Sequence, residues 1–187
     1  MQFEVEQKYP VADLAVVEKQ LIEMGAEIGP VKVEVDTYFA HPCRNFAETD
    51  EALRIRRIGD VHFMTYKGPK MDKTTKTRPE LDLPLPSDPE VASRWPRMLH
   101  ALGFTPVAEV CKERRKASVT VQGEEVEVCL DHIASVGEFV ELEWITEDES
   151  HVQAGKTLLA SLAETLGLSE NERRSYLELL LIARGEA

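Results

Sequence analysis

The chain has 187 residues, 43% of them hydrophobic and 30% charged, which suits one soluble domain with a sizeable core. Its 34 acidic residues outweigh 22 basic ones, for a formal net charge of −12. That argues against nonspecific binding of nucleic acid or an anionic membrane as the main job, and it makes any local basic cluster stand against the global field.

No apolar run of about 18 residues occurs, so no transmembrane helix is expected. The chain opens on a charged strand, so no signal peptide is expected. Cys43, Cys111 and Cys129 form no CxxC pair. A reducing, cytoplasmic setting is therefore expected, with the thiols as small apolar fillers rather than a zinc site.

The first strand, 2–9, alternates: Glu4, Glu6 and Lys8 share one face, Phe3, Val5 and Gln7 the other. Taken alone this is also the pattern of a solvated edge strand. Two neighbouring carboxylates nevertheless repel unless a cation neutralises them, whether Lys8 or a hard divalent metal. Pro10 is expected to open a helix over 11–24, with Leu14, Val17, Leu21 and Met24 inward and Gly25 as its stop. In a strand over 31–39, Val31, Val33, Val35, Thr37 and Phe39 oppose Lys32, Glu34, Asp36 and Tyr38; 41–50 reads as a loop. Strands over 51–58 and 61–67 meet at a Gly59-Asp60 turn. Arg54 and Arg56 oppose Leu53 and Ile55, and Phe63, Thr65 and Lys67 oppose His62, Met64 and Tyr66. The basic segment Lys70–Lys76 reads as a flexible loop, either simply solvated or handling phosphate.

A strand over 78–85 sets Arg78, Glu80 and Asp82 opposite Leu81, Leu83 and Leu85. Ser87 and Glu90 form a capping-box signature for a helix of about 88–102, stopped by Gly103. Lys112, Arg114 and Lys116 share a face of the strand 107–116. Next, 119–121 and 126–130 form a hairpin about Gly123, with Val126, Val128 and Leu130 opposite Glu125, Glu127, Cys129 and Asp131. In the last strand, 138–145, Phe139, Glu141, Glu143 and Ile145 oppose Val140, Leu142 and Trp144. Two helices close the chain: about 151–166, ended by Gly167, and about 170–184, opened by Ser169 and Glu172 and carrying Tyr176, Leu179, Leu180 and Ala183 inward. Both halves run acidic strand, helix ending at glycine, long strand. This weak internal repeat suggests two similar sheet halves facing each other.

One side of nearly every strand is apolar, and four helices are available to cover it. The other side collects Glu4, Glu6, Lys8, Arg54, Arg56, Lys67, Arg78, Glu80, Asp82, Lys112, Arg114, Asp131, Glu141 and Glu143. An open sheet leaves these in water. A closed sheet encloses them, at a high cost unless they bind something of mixed polarity. A polyphosphate with a divalent metal matches: Arg and Lys neutralise phosphate oxygens, and carboxylates hold the ion. The chain lacks a G-x-x-x-x-G-K-[ST] loop and a G-x-S-x-G elbow. Its basic 113–116 stretch has no interleaved aromatics to suggest a nucleic-acid patch.

In order, these residues resemble the CYTH domain of the triphosphate tunnel metalloenzyme superfamily. The E-x-E-x-K signature stands as Glu4-Val5-Glu6-Gln7-Lys8. It continues through Asp36-Thr37-Tyr38-Phe39, Leu53-Arg54-Ile55-Arg56, Thr65-Tyr66-Lys67-Gly68-Pro69, Arg78-Pro79-Glu80, Lys112-Glu113-Arg114, Asp131 and the stretch Gly137 to Glu143. The ending Arg174-Ser175-Tyr176-Leu177-Glu178-Leu179-Leu180 is similar to that of the class IV adenylyl cyclase branch.

The resemblance implies an α+β fold: a closed eight-stranded antiparallel β-barrel with helices packed outside, one domain over 1–187 that includes the C-terminal helices of about 151–184. By resemblance Glu4, Glu6, Glu141 and Glu143, together with Asp131, hold Mg²⁺ or Mn²⁺. Lys8, Arg54, Arg56, Lys67, Arg78, Lys112 and Arg114 grip the triphosphate. Lys8, Glu6 and Asp131 are the catalytic candidates, while Glu80 and Asp82 either orient the bases or reach a second metal. The implied reaction is cyclisation of ATP to cyclic AMP and pyrophosphate. Hydrolysis of thiamine triphosphate or inorganic triphosphate uses the same cage, and a non-catalytic polyphosphate-binding module belongs to another class. Monomer and homodimer are both compatible with the sequence.

Overall fold

The computed structural model describes residues 3–69 and 78–186, so the Lys70–Lys76 segment lies outside the described residues. Eight antiparallel strands close into a barrel: β1 (Phe3–Val11), β2 (Lys32–Ala40), β3 (Ala52–Ile58), β4 (Val61–Lys67), β5 (Arg78–Leu85), β6 (Thr105–Val121), β7 (Glu124–Ile133) and β8 (Gly137–Thr146). The order around the barrel is β1-β5-β4-β3-β2-β6-β7-β8, with β8 pairing back on β1. Exchanging each strand with the one four places away leaves this cyclic order unchanged, the form that the internal repeat takes in space.

Alternation sorts the side chains as expected. Outward residues of β1, β6, β7 and β8, among them Val5, Val126, Val128, Leu130, Val140 and Leu142, meet Leu14, Val17 and Leu21 of α1 (Leu14–Glu23) and Leu158, Leu159 and Leu162 of α5 (Val152–Thr165). Across the barrel, Phe39, Leu53, Ile55 and Leu85 pack under Leu99 of α4 (Arg94–Ala101). Gly155 of α5 lies so close to Trp144 that a β-carbon there would run into the indole ring. Among the described residues no helix is long and apolar enough to cross a membrane.

Several elements differ from the sequence expectation, each for a local reason. Pro10 stays in β1, where the strand pairs with β8 and its pairing with β5 has ended, so no ladder bond misses the absent N–H. The helix begins instead at Leu14, capped by the Asp13 carboxylate, which accepts from Ala15 N at 2.8 Å. The expected helix of 88–102 is two: α3 (Pro89–Ala92), capped by Asp88 rather than Ser87, and then α4. Pro96 cannot donate to Ala92, so the helix restarts with the proline in its first turn. The segments 107–116 and 119–121 are one strand, and Gln122 and Gly123, both at positive φ, make the tight turn into β7. The loop of 41–50 contains α2 (Phe46–Thr49), capped by Asn45.

The last helix, α6, runs Tyr176–Arg184 and starts six residues later than expected. Its capping box is Ser175 with Glu178, not Ser169 with Glu172. The preceding residues are tied to β1 instead: Glu172 N donates to Lys8 O at 2.6 Å. Tyr176 and Leu180 are buried, while Ala183 is exposed. Their partners are Tyr38, Val110, Ile133 and Phe139, all inward-facing barrel residues, so α6 plugs one end of the barrel. Leu81 and Leu83, expected under a helix, are exposed on the outer wall at 63% and 59%.

Candidate functional site

The barrel encloses a cavity of about 590 Å³. Twelve of the fourteen candidate residues line it: Glu4, Glu6, Arg54, Arg56, Lys67, Arg78, Glu80, Asp82, Lys112, Arg114, Glu141 and Glu143. Strand alternation puts each there, and register decides which meet. Glu6 stands opposite Glu143, Lys8 opposite Glu141, and Glu4 beside Arg78. Phe46, Ala47 and Ala52, with Leu177 and Leu181 of α6, add an apolar part to the lining.

Lys8 and Asp131 are fully buried. The Lys8 ammonium donates to Arg174 O at 2.6 Å and lies 3.9 Å from the centroid of the Tyr176 ring, a cation–π contact. Asp131 takes Arg114 in a fork, with Nε on Oδ1 at 2.6 Å and Nη2 on Oδ2 at 2.5 Å, and it also accepts from the Tyr176 hydroxyl at 2.8 Å. Both of its oxygens are thereby engaged.

The basic residues are held by carboxylates. Asp36 accepts from Arg56 Nε at 2.6 Å, Arg56 Nη2 at 2.7 Å and Arg54 Nη1 at 3.1 Å. Glu34 sits 3.2 Å from both Lys112 and Arg56. Lys67 bridges Glu80 at 2.7 Å and Glu4 at 3.4 Å. Arg114 also contacts Glu141, and Glu143 at 3.6 Å. Arg78 Nη1 donates to Asp50 O at 3.5 Å, and Asp82 accepts from Thr65 Oγ1 at 2.5 Å.

These surroundings divide the carboxylates. Burial pushes the Asp36 carboxyl up, but Arg54 and Arg56 outweigh it and hold the group well below the usual range. Glu34 is likewise lowered, burial being outweighed by Lys112, Arg114 and Arg56. Glu143 goes the other way: burial and the nearby Glu4 raise it well above the usual range, with Arg114 offsetting only part. Glu4 is also raised, by burial first, against the pull of Lys67. Lys67 is raised because Glu4 and Glu80 outweigh its own burial.

Glu34, Asp36, Tyr176, Glu127 and Cys129 belong to this constellation although the sequence reading did not single them out as site residues. Glu34 and Asp36 carried the same two-residue alternation as Glu4 and Glu6, so the signal was present. Of the cysteines expected to be apolar fillers, Cys43 and Cys111 are exposed. Cys129 is buried, but its sulfur faces Glu127 and Glu143, each 3.7 Å away.

The family model for the CYTH domain matches residues 2–176. The chain belongs to the CYTH family. A Methanocaldococcus jannaschii protein named as a candidate adenylate cyclase is 34% identical over 178 residues, 94% of this chain and 97% of that one. The Aeromonas hydrophila adenylate cyclase CyaB is 30% identical over 179 residues, 93% of this chain and 86% of its own. The solved structure of the PH1819 protein of Pyrococcus horikoshii OT3 has a TM-score of 0.82 at 34% identity, covering 96% of this chain and 98% of that one.

Proposed function

We propose that this CYTH protein is a divalent-metal-dependent enzyme that holds a triphosphate in the tunnel and converts ATP to cyclic AMP and pyrophosphate. What supports this most is that one enclosed cavity carries guanidinium and ammonium groups fixed by their own carboxylates beside a second set of carboxylates crowded on one another. Free phosphate alone would need only the first set.

The second set fits a hard divalent cation by its donor chemistry. It offers carboxylate oxygens only, from Glu4 and Glu6 on β1 and Glu141 and Glu143 on β8, and Glu4 and Glu143, raised by burial first and by neighbouring carboxylates second, would be relieved by a cation. Mg²⁺ or Mn²⁺ held there would neutralise phosphate charge and the leaving pyrophosphate. Arg54, Arg56, Lys67, Arg78, Lys112 and Arg114 bind phosphate oxygens. Asp131 is a positioning residue: its fork fixes the plane of Arg114. Lys8 is another, fastening the Arg174 carbonyl and the Tyr176 ring at the plugged end. Glu80 holds Lys67, and Asp82 holds Thr65.

In the reaction the ribose 3′-hydroxyl oxygen bonds to the α-phosphorus and gives up its proton to solvent, the bond to the α–β bridging oxygen breaks, and pyrophosphate leaves. Catalysis then consists mainly of positioning and charge neutralisation. The apolar lining contributed by Phe46, Ala47, Leu177 and Leu181 gives an organic group a place beside the charged wall, which favours a nucleotide over bare tripolyphosphate.

The test is to incubate pure protein and Mg²⁺ or Mn²⁺ with ATP, thiamine triphosphate and tripolyphosphate and to resolve the products. Cyclic AMP with pyrophosphate is expected from ATP. Orthophosphate from any of the three would replace the cyclase by a triphosphatase, and tight binding without product would make the tunnel a binding module.

A further inference from the structure

Cys129 stands apart from the other tunnel donors because it brings sulfur into a wall of hard oxygens. It is completely buried, and its Sγ lies 3.7 Å from Glu127 Oε1 and 3.7 Å from Glu143 Oε1. The three ligand atoms all lie within 4.8 Å of one another. A thiol has a single proton, so it can donate to one of these carboxylates and not to both. A cation seated among the three atoms would take the place of that single proton and meet the sulfur and both carboxylates at once.

The spacing agrees with one class of ion. For a metal–sulfur bond of about 2.3 Å and metal–oxygen bonds of about 2.0–2.2 Å, a tetrahedral centre separates sulfur from oxygen by about 3.5–3.7 Å. Both observed distances fall there. Register explains why the donors meet: Glu127 stands opposite Glu143, and Cys129 opposite Glu141, across β7 and β8. Glu127 and Glu143 line the cavity, which leaves a fourth position open to the tunnel for water. Two cations already face the cluster: Lys116, 2.5 Å from Glu127 with a side chain 47% exposed, can turn out to solvent, while Arg114, 3.6 Å from Glu143, is buried and held by its fork on Asp131.

We propose that Glu127, Cys129 and Glu143 form a three-ligand site for a borderline or soft divalent cation of the zinc, cobalt(II) or cadmium class. The thiol proton passes to solvent as the ion binds, and thiolate selects such ions over magnesium. Glu143 also belongs to the carboxylate set proposed above for Mg²⁺ or Mn²⁺, so the two ions exclude each other at that residue.

Cobalt(II) absorption tests the site directly. Metal-free full-length protein carrying Cys43→Ser and Cys111→Ser, both exposed positions, keeps Cys129 as its one thiol. One equivalent of cobalt(II) should produce a thiolate-to-cobalt charge-transfer band with the visible bands of a tetrahedral ion, and zinc should bleach them. Adding Cys129→Ser should remove the charge-transfer band. In the Cys129-containing protein, Glu127→Gln should weaken cobalt affinity by more than about tenfold, since even partners outside the ligand shell are worth 10–100-fold. Cobalt bound without a thiolate band, or an affinity untouched by Glu127→Gln, overturns the proposal. Should Cys129→Ser lose its circular-dichroism signature, the Glu127→Gln titration decides. The bands report sulfur ligation whether or not ATP turns over, so failure here and failure of the cyclase reading are separate results.

Discussion

The carboxylates of β2 and those of β1 and β8 serve one barrel in opposite electrostatic states. On β2, Asp36 has two guanidiniums, and Glu34 shares Lys112 and Arg56. Both acids are held below their ordinary range. On β1 and β8, half-buried Glu4 and Glu143 are raised above it, by desolvation first and then by neighbouring carboxylates. The β2 acids are the more deeply buried, yet the cations they face outweigh that burial; Glu4 has Lys67 at 3.4 Å and Glu143 has Arg114 at 3.6 Å, which offset it only in part. The β2 acids are part of the scaffold that aims the bases. The β1 and β8 acids are only partly compensated by Lys67 and Arg114, so a further cation would stabilise them.

The sharpest way to break this contrast is the double variant Glu4→Ala, Glu6→Ala. Metal-dependent turnover should fall by more than about a hundredfold, the scale of a lost electrostatic stabiliser. Circular dichroism should stay unchanged and Tm should not fall, because repulsion goes with the acids. Unchanged turnover would remove the metal assignment. Asp36→Ala should show the reverse signature: Arg54 and Arg56 lose their shared partner in a buried place, costing about 3 kcal/mol and a drop in Tm on the order of 10 °C. A melting temperature equal to wild type would show that Glu34 and Glu80 suffice.

Acidity separates the two walls further. Glu143 has a folded-state value raised above its unfolded one, so its contribution to stability is complete at low pH and is lost as pH rises through the folded value. In chelator, Glu143→Gln should therefore gain in Tm over wild type as the pH is raised above the ordinary carboxylate range, and saturating Mg²⁺ should narrow the gap. A gap constant with pH would contradict the crowded state of that wall. The smallest effect belongs to Tyr176→Phe, which takes one of several donors from Asp131 and should cost about 1 kcal/mol in a denaturant titration.

Much of this was legible residue by residue. Period-two alternation put Glu4, Glu6, Arg54, Arg56, Lys112, Arg114, Glu141 and Glu143 on the correct faces, because a closed barrel leaves an inward side chain no other place. Counter-ion choice was not legible, since it depends on register: Asp36 lies opposite Arg56 on the next strand, and Glu34 opposite Lys112 on a strand far along the chain. Nor was the placing of α6. A helix with Tyr176 and Leu180 on one side reads the same whether that side meets the outside of a sheet or the mouth of a barrel. The exposed Leu81 and Leu83 show the same limit, for an apolar face marks what a cover would suit and not whether one is there.

The bond between Glu172 N and Lys8 O, with the Lys8 ammonium on Arg174 O, also bears on how the protein is made. β1 leaves the ribosome before the other seven strands of the barrel, yet its long partner β8 begins at Gly137 and its fastening comes from residues 172–174. Until those are synthesised, a strand with two bare carboxylates on one side and Phe3 and Val5 on the other waits with an open edge. Closure is then a late, long-range event of high contact order, slow by nature and exposed to mispairing while it is pending. The charges that serve the tunnel afterwards also guard that edge while it waits, because Glu4, Glu6 and Lys8 make β1 a poor template for another chain.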